Sequence, residues 1–292
     1  MDLELILMQL LSGLALGAIL VMVALGLTIV FGMLGIVNFA HGALFMVGAY
    51  AGLWIAAQTG SFWWALVVAP VAVGVLGMLI ERFLIRPLYG RTPDDPLLLT
   101  FGLSYVLVEG VRITFGTDGI PFSAPESLQG VVDLGVVGYF PLYRLFVMGV
   151  VAVVLALLWL ALEKTRYGLI VRAGARDPLI MKVLGVDVSR LWLVVFGLGV
   201  GLTALGGVLA APMRNVSPEM GTLVLAQAFV VTVIGGMGSL LGAVVAGLLV
   251  GLAVSMTALV APEMATIVMF GLMAFVLLLR PQGLFGRPGL GT

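Results

Sequence analysis

Long apolar runs alternate with short polar interruptions along almost the whole chain. A helix needs roughly 20 apolar residues to cross a bilayer, and most of these runs approach that length. The pattern predicts an all-α, polytopic integral membrane protein with about eight to ten transmembrane or broken helices and glycine-rich packing between them. The predicted apolar segments are Leu5–Val30, Ala43–Ala57, Phe62–Ile80, Leu97–Phe115, Leu142–Leu162, Trp192–Ala211, Thr222–Ile234, Ala243–Leu259 and Met264–Leu279.

Two interruptions are rich in glycine rather than in charge. Gly32–Gly52 begins with GMLGIVNFAHG, and Gly235–Gly251 begins with GGMGSLLG. Irregular backbone inside a bilayer is tolerated only where it is buried in protein or faces a wet cavity. Interrupted segments in corresponding halves of a chain indicate a transport pathway built from internal repeats, so we predict a possible repeat here. The pathway candidates in these two runs are Asn38, His41, Gly42, Gly235, Gly236, Gly238 and Ser239.

The same residues also have a structural interpretation. Glycine clusters allow close helix packing without any pathway. His41 can be a hydrogen-bonded structural residue, and Asn38 can cap a helix or bond between helices. The sequence alone leaves these alternatives open.

Glu109 and Arg112 are the charged residues that we place in the interior of a predicted span, away from its first few residues. They are three residues apart and therefore share a helical face on which they can form an ion pair. An ionisable residue within the membrane is a functional candidate by default, so Glu109 joins the pathway candidates. The alternative is a structural pair, or an arginine that reaches the outer surface while Glu109 faces an aqueous vestibule.

One strongly polar stretch, Glu163–Arg190, carries six of the 14 basic residues. Inside it, Asp177 can act as an N-cap, and Pro178 suits the first helical position. Gly185 can adopt the left-handed conformation that ends a helix. The apolar residues between these ends are Leu179, Ile180, Val183 and Leu184. A two-turn helix with an apolar face in a basic loop predicts a docking element for a cytoplasmic partner, or else a loop that folds back onto the protein or lipid.

Composition and charge support a membrane protein and set its orientation. Hydrophobic residues make up 62% of the chain and charged residues 10%, and the mean hydropathy is +1.25, which excludes an ordinary soluble domain. Eleven of the 14 basic residues lie in Glu81–Pro96, in Glu163–Arg190 and in the tail with Arg280 and Arg287. The positive-inside rule therefore predicts that these three segments are cytoplasmic.

The residue types and motifs that the chain lacks exclude several classes of function. The chain has no cysteine and a single histidine, so we expect no disulfide and no metal site, and we expect no cofactor. It has no Walker nucleotide-binding motif and no recognisable hydrolase motif, so we predict a protein that is not an enzyme. If solute crosses this protein, the energy has to come from another polypeptide.

Several motifs resemble one known family along nearly the whole chain. They are GLTIVFGMLGIVNFAHGALFMVGAY from Gly26, ERFLIRPLYGR from Glu81, TFGLSYVL from Thr100, RYGLIVRAGARDPLIMKVLGVDVSRL from Arg166, VIGGMGSLLGAVVAGLLVG from Val233 and RPQGLFG from Arg280. They are similar to the permeases of branched-chain amino-acid ABC importers, the Liv type. The likeness is strongest to the shorter of the two permease subunits.

This resemblance implies a role and partners that the spacing of residues along the chain does not show. It implies one transmembrane permease domain, residues 1–292, in a bacterial inner membrane, paired with a second homologous permease. Two cytoplasmic ATPases would drive transport, and a periplasmic binding protein would deliver a branched-chain amino acid or a related small solute. Residues 163–190 then correspond to the ATPase coupling loop, with candidate residues Ala173, Arg176, Asp177, Pro178, Leu184 and Gly185.

Two other classes of function remain as alternatives. A stand-alone channel or an ion-coupled secondary carrier for a small polar solute would also use interrupted helices, and it predicts solute flux through this chain alone. A membrane enzyme or scaffold predicts no flux at all.

Overall fold

The computed structural model describes residues 3–92 and 94–286. Eight helices in this part of the chain are long and apolar enough to cross a membrane. A ninth apolar helix, Met220–Gly235, has 16 residues. The predicted polytopic all-α fold is thus confirmed. Its helices are α1 (Leu3–Leu34), α2 (His41–Thr59), α3 (Phe62–Ile80), α4 (Asp94–Phe115), α5 (Leu142–Lys164), α6 (Arg166–Arg176), α7 (Pro178–Val183), α8 (Val188–Ala210), α9 (Met220–Gly235), α10 (Leu240–Val260) and α11 (Ala265–Leu279).

The centre of the bundle is α1, which packs against α8, α9 and α10, while α2 packs against α8 and α9. The middle of α1, from Ala18 to Leu25, is almost completely buried. By contrast, α4, α5 and α11 bury few of their side chains completely. This arrangement fits a membrane protein, since lipid tails solvate exposed apolar residues as well as a protein core does.

Glycine brings the central helices together. An added Cβ at Gly13 would lie 2.9 Å from the Ser255 Cβ, and one at Gly17 would lie 2.9 Å from the Gly247 carbonyl oxygen. These pairs run in opposite order along α1 and α10, so the two helices are antiparallel. The interface is thus backbone against backbone, with no room for a side chain at either glycine.

Glycine residues also allow α2 and α8 to pack closely, but here the two helices have a different relative direction. A Cβ at Gly48 would lie 2.5 Å from the Ala204 Cα, and one at Gly52 would lie 3.0 Å from a Val208 methyl group. These pairs advance together along the chain, so α2 and α8 are parallel. The two glycine runs noted in the sequence therefore have unlike partners, and the internal repeat stays a prediction.

The segment between α1 and α2 runs back into the bundle. The side chain at the start of α2, His41, lies against the Val23 carbonyl, eleven residues before the end of α1 at Leu34. Eleven helical residues span about 16 Å, so residues 35–40 return about that far alongside α1 before α2 begins. The predicted interruption is present, and it lies within the protein.

The third span is longer than predicted. After α3 the chain continues as a π-helical turn, Glu81–Ile85, and a 3₁₀ turn, Arg86–Leu88. The predicted end of the third apolar segment at Ile80 is therefore too early, because a wide helical turn continues the helix and keeps Glu81 and Ile85 buried. The connection that follows is short, and α4 already begins at Asp94.

The basic segments gather at one end of the bundle. The Arg86 guanidinium bonds the Ser189 carbonyl at the start of α8, and α6 contacts both α1 and α8. At the opposite end, Ile120 and Val216 form an antiparallel bridge between the connection that follows α4 and the connection that precedes α9. A small hairpin of β1 (Val131–Asp133) and β2 (Tyr139–Pro141) also lies there. Of the basic tail residues, Arg287 lies outside the described part of the chain.

Candidate translocation path and coupling helix

The segment before α2 is held by hydrogen bonds that leave it little freedom. Asn38 is buried, and its side-chain oxygen accepts a bond from the Ala40 N–H at 3.0 Å. The buried Thr100 hydroxyl on α4 accepts a bond from the Phe39 N–H at 3.1 Å and donates one to the Leu97 carbonyl. Irregular backbone at this depth is thus satisfied by a side chain from a neighbouring helix, as a membrane protein requires.

His41 is completely buried where α1, α2 and α8 meet. Its Nε2 lies 3.0 Å from the Val23 carbonyl oxygen and 2.6 Å from the Thr203 hydroxyl. A carbonyl oxygen can only accept, so Nε2 carries the proton and Nδ1 is left as an acceptor. Within the described residues neither His41 Nδ1 nor the Asn38 side-chain nitrogen has a protein partner. Such groups are costly to bury unless water or solute reaches them.

Gly42 provides the contact between the start of α2 and the start of α9. A Cβ at Gly42 would lie 2.7 Å from the Leu225 Cβ, and a Cβ at Gly221 would lie 2.5 Å from the Gly42 carbonyl oxygen. The glycine has a packing role here whether or not solute passes it. It also places residues at the start of α9 next to the first helix interruption.

A charged cluster lies close to that contact. The Arg112 guanidinium bonds Glu109 at 2.5 Å on α4 and Glu219 at 3.0 Å, just before α9. The predicted Glu109–Arg112 pair is present, and Glu219 is a third member that the sequence did not indicate. The carboxylate side chains are 54% and 57% exposed. Charges this exposed on apolar helices do not face hydrocarbon, so this surface faces water or another subunit.

The second interruption lies between α9 and α10, away from the first. Gly236 and Gly238 adopt positive φ angles of 97° and 84°, which favour glycine. Ser239 caps α10 by accepting a bond from the Gly242 N–H at 3.1 Å. Gly235 packs tightly against Gly242 on α10. Local backbone geometry therefore explains these residues without any ligand.

The tail of the chain closes the second interruption. The Leu284 N–H donates to the Ile234 carbonyl at 2.8 Å, and the Phe285 N–H donates to the Gly235 carbonyl at 3.0 Å. These carbonyls at the end of α9 would otherwise lack partners. We call residues 280–286 the tail latch.

The structure thus brings the pathway candidates together only in part. Gly42 and Glu109 are linked through the start of α9, whereas Gly235–Ser239 lies at the basic end near Gly32 of α1. Between α2 and α4 there is a mostly apolar cleft of about 530 Å³. Its lining residues are Val47, Tyr50, Ala51, Trp54, Val111, Thr114 and Phe115. None of them was among the sequence candidates.

The short helix α7 has the two ends that the sequence predicted. Asp177 Oδ1 accepts bonds from the Leu179 and Ile180 N–H groups, both at 3.0 Å. Pro178 occupies the first helical position. At the other end Gly185 has a φ of 82°, and its N–H and that of the next residue bond back to the Lys182 and Met181 carbonyls. This is the Schellman pattern of helix termination.

The apolar face of α7 has no partner within the described chain. Leu179, Ile180, Val183 and Leu184 are 57–88% exposed, whereas Met181 is buried and anchors the helix. The alternative that these four side chains fold back onto the protein is therefore wrong, whereas their contact with lipid stays a prediction. Ala173 and Arg176 belong to α6, a preceding amphipathic helix that we had not predicted.

A buried charge cluster near α7 was also missed by the sequence analysis. Glu81 is fully buried and bonds Arg86 through both oxygens, at 3.1 and 2.6 Å. The Tyr89 hydroxyl donates to Glu81 at 2.8 Å. Burial, followed by this hydrogen bond, raises the pKa of Tyr89, so the phenol stays protonated. Our statement that only one span carries interior charge is thus wrong. The signal that could have found it is the i, i+5 Glu–Arg spacing, which a π-helical turn aligns.

Comparison with known sequences decides the family. Residues 9–277 match the family described as "Branched-chain amino acid transport system / permease component". The permease protein LivH of the high-affinity branched-chain amino acid transport system from Escherichia coli K12 is 32% identical, with 97% of this chain and 96% of LivH covered. The chain belongs to this permease family.

One further sequence relative and one solved structure are also similar to this chain. LivM from Salmonella typhimurium, named as another permease protein of such a system, is 28% identical over 91% of this chain and 67% of its own length. Among solved structures, PsaBC from Streptococcus pneumoniae in complex with Fab has a TM-score of 0.52 and 14% identity, covering 94% of this chain and 92% of that one. At that identity the likeness shows the fold alone.

Membership of the permease family confirms the central predictions. The chain is a multi-pass transport permease and not an enzyme, as the missing catalytic motifs indicated. The resemblance to the shorter Liv-type permease subunit is confirmed by LivH. The individual pathway and coupling residues are placed by the structure, but their roles stay predictions.

Proposed function

We propose that this chain is one permease subunit of an ATP-driven importer in a bacterial inner membrane, and that residues 1–292 act as a single permease domain. The observation that carries the proposal is α7, a helix capped at both ends that presents four exposed apolar side chains from the basic end of the bundle. Exposed apolar residues in a charged loop indicate a protein contact. Two cytoplasmic ATPases are the partners for this face.

The second proposed partner is a homologous permease. This chain is similar both to LivH and to LivM, two permease proteins of branched-chain amino acid systems. The exposed cluster of Glu109, Arg112 and Glu219 needs water or protein beside it. We place the translocation path on this face, between α4, the start of α2 and the start of α9, with the second permease opposite. A periplasmic binding protein delivers solute at the end that carries the β hairpin.

The solute that we propose is a branched-chain amino acid or a closely related small molecule. The names of the relatives support this class. The structure adds an apolar cleft of about 530 Å³ beside a cluster with both signs of charge. That combination suits a zwitterion with an apolar side chain, since apolar walls accept the side chain while charges stay near its ends.

Transport then proceeds by alternating access. Closure of the ATPases on ATP displaces α7, the two permeases move relative to each other, and the path opens to the other side. Since α7 adjoins α8 through only four residues, Leu184–Asp187, a displacement of α7 reaches the core of the bundle directly. The path itself needs only weak contacts, so that solute is released.

The test replaces Leu184 or Asp177 by Lys in the chain expressed with its ATPases. We expect the ATPases to be lost on purification and uptake to stop. The matched control is Val136→Lys, an apolar residue at the opposite end that is 72% exposed, against 70% for Leu184. Retention of the ATPases and of uptake in both α7 variants would refute the docking role.

Reconstitution separates the proposal from its alternatives. Proteoliposomes with the two permeases, the ATPases and the binding protein are expected to take up leucine, isoleucine or valine only when ATP is present. Flux through this chain alone would instead support the channel or ion-coupled carrier. Binding measurements on the cognate binding protein identify the solute.

A further inference from the structure

The buried cluster of Glu81, Arg86 and Tyr89 has no part in the pathway or in ATPase docking as proposed above. Glu81 is 0% exposed, and carboxylates are almost never fully buried unless they are paired. Here the pairing is complete: Arg86 bonds both oxygens and Tyr89 bonds one of them. A bidentate charge-assisted pair of this kind fixes geometry as well as charge.

The cluster also reaches outside its own helix. Arg86 Nη2, which bonds Glu81, donates a second bond at 3.0 Å to the carbonyl oxygen of Ser189. The Tyr89 ring lies edge-on against Trp192, with the ring centroids 4.9 Å apart. Both contacts are to the first turns of α8, which begins at Val188. The end of the third span is thus fastened to the start of α8 by a hydrogen bond and an aromatic contact.

The place of attachment is next to the coupling helix. Between the end of α7 and the start of α8 lie only residues 184–187. That connection is itself ordered, since Asp187 caps α8 by accepting a bond from the Arg190 N–H at 3.0 Å. When α7 is displaced, the first part of the bundle to move with it is therefore the first turn of α8, to which Arg86 is hydrogen-bonded.

Along the rest of their length α3 and α8 are already in close contact. A Cβ at Gly77 would lie 2.8 Å from the Val200 Cβ, and one at Gly74 would lie 3.1 Å from the Gly197 carbonyl oxygen. Tightly packed helices of this kind move together. Without the cluster, the weakest part of this pair would be its cytoplasmic end, where the π-helical turn interrupts the regular helix.

We propose that Glu81, Arg86 and Tyr89 form a clamp that makes α3 and α8 move as one body when the ATPases displace α7. These are positioning residues: they touch neither solute nor nucleotide. The inference rests on the proposed function, and it adds the element through which the coupling helix moves the bundle.

The test measures transport per ATP hydrolysed by the reconstituted importer carrying Arg86→Gln. We expect assembly, nucleotide binding and ATP hydrolysis to persist, while solute moved per ATP falls roughly tenfold, because the substitution weakens the two charge-assisted bonds to Glu81 and the bond to the Ser189 carbonyl. Arg82→Gln is the matched control, because it removes the same charge from the same turn and Arg82 is exposed and outside the clamp. It is expected to keep the wild-type ratio.

Each outcome decides the proposal. A wild-type ratio in assembled Arg86→Gln importer overturns it. If that variant does not assemble, Tyr89→Phe replaces it, because the ring against Trp192 is kept and only the bond to Glu81 is lost; a wild-type ratio there also overturns the clamp. Failure of the wild-type importer to couple uptake to ATP would instead refute the proposed function, so the two failures are distinct.

Discussion

The N-cap of α7 allows a quantitative test of the coupling helix. Asp177 Oδ1 accepts two backbone N–H bonds at 3.0 Å, and replacing such a cap by alanine costs about 1 kcal/mol. The helix has only six residues, far below the length at which a helix is stable by itself. Its remaining support is the buried Met181 and the glycine-terminated end.

The expected effect on ATPase binding follows from this cost. A loss of about 1 kcal/mol shifts the folded population of α7 by up to about fivefold, and the apparent Kd rises by the same factor if only folded α7 binds. Asp177→Asn keeps the capping oxygen, so it is expected to bind nearly as the wild type does. Asp177→Ala is expected to weaken binding by up to about fivefold.

The assay is titration of the ATPase subunits onto the two permeases in lipid nanodiscs. Equal affinities for Asp177→Ala and Asp177→Asn would refute the capping argument. If both variants were weakened equally, the charge of Asp177 and not its cap would be the contact.

Three further changes test the interior of the bundle. Gly17→Val is expected to lower the unfolding temperature of the purified protein, because its side chain would overlap α10 and overpacking costs about 1–3 kcal/mol; Gly102→Val, with open space around the glycine, is the control and should change it little. His41→Ala is expected to destabilise by roughly 1–3 kcal/mol, measured by thermal unfolding, because it removes two buried hydrogen bonds and leaves a cavity where α1, α2 and α8 meet; an unchanged unfolding temperature would contradict that role. Arg112→Gln is expected to leave the unfolding temperature unchanged while reducing solute uptake, and normal uptake would count against a path beside α4.

The coupling helix could be predicted from sequence because its determinants are local. A cap, a proline and a closing glycine each act within one turn of the residue that they affect. The order of apolar segments was also predictable, since it depends only on hydrophobic length. The α6 helix was not, because its eleven residues mix arginine, glycine and apolar side chains and resemble an ordinary basic loop.

Contacts between distant parts of the chain could not be predicted from the sequence. Glycine spacing predicted close packing, but not that Gly17 meets Gly247 on α10 while Gly48 meets Ala204 on α8. Glu81 was placed at the start of a basic segment that we predicted to be cytoplasmic. Only the π-helical turn, which aligns it with Arg86, explains why a carboxylate is buried there.

The tail latch has a consequence for biosynthesis. The carbonyl groups of Ile234 and Gly235 receive their hydrogen bonds from residues 284 and 285, about fifty positions later in translation. Until the ribosome has released that stretch, the end of α9 cannot reach its final state, however early the preceding helices insert. A nascent or truncated polypeptide ending at Leu279 would thus display an unfinished helix end, which cellular proteases can recognise.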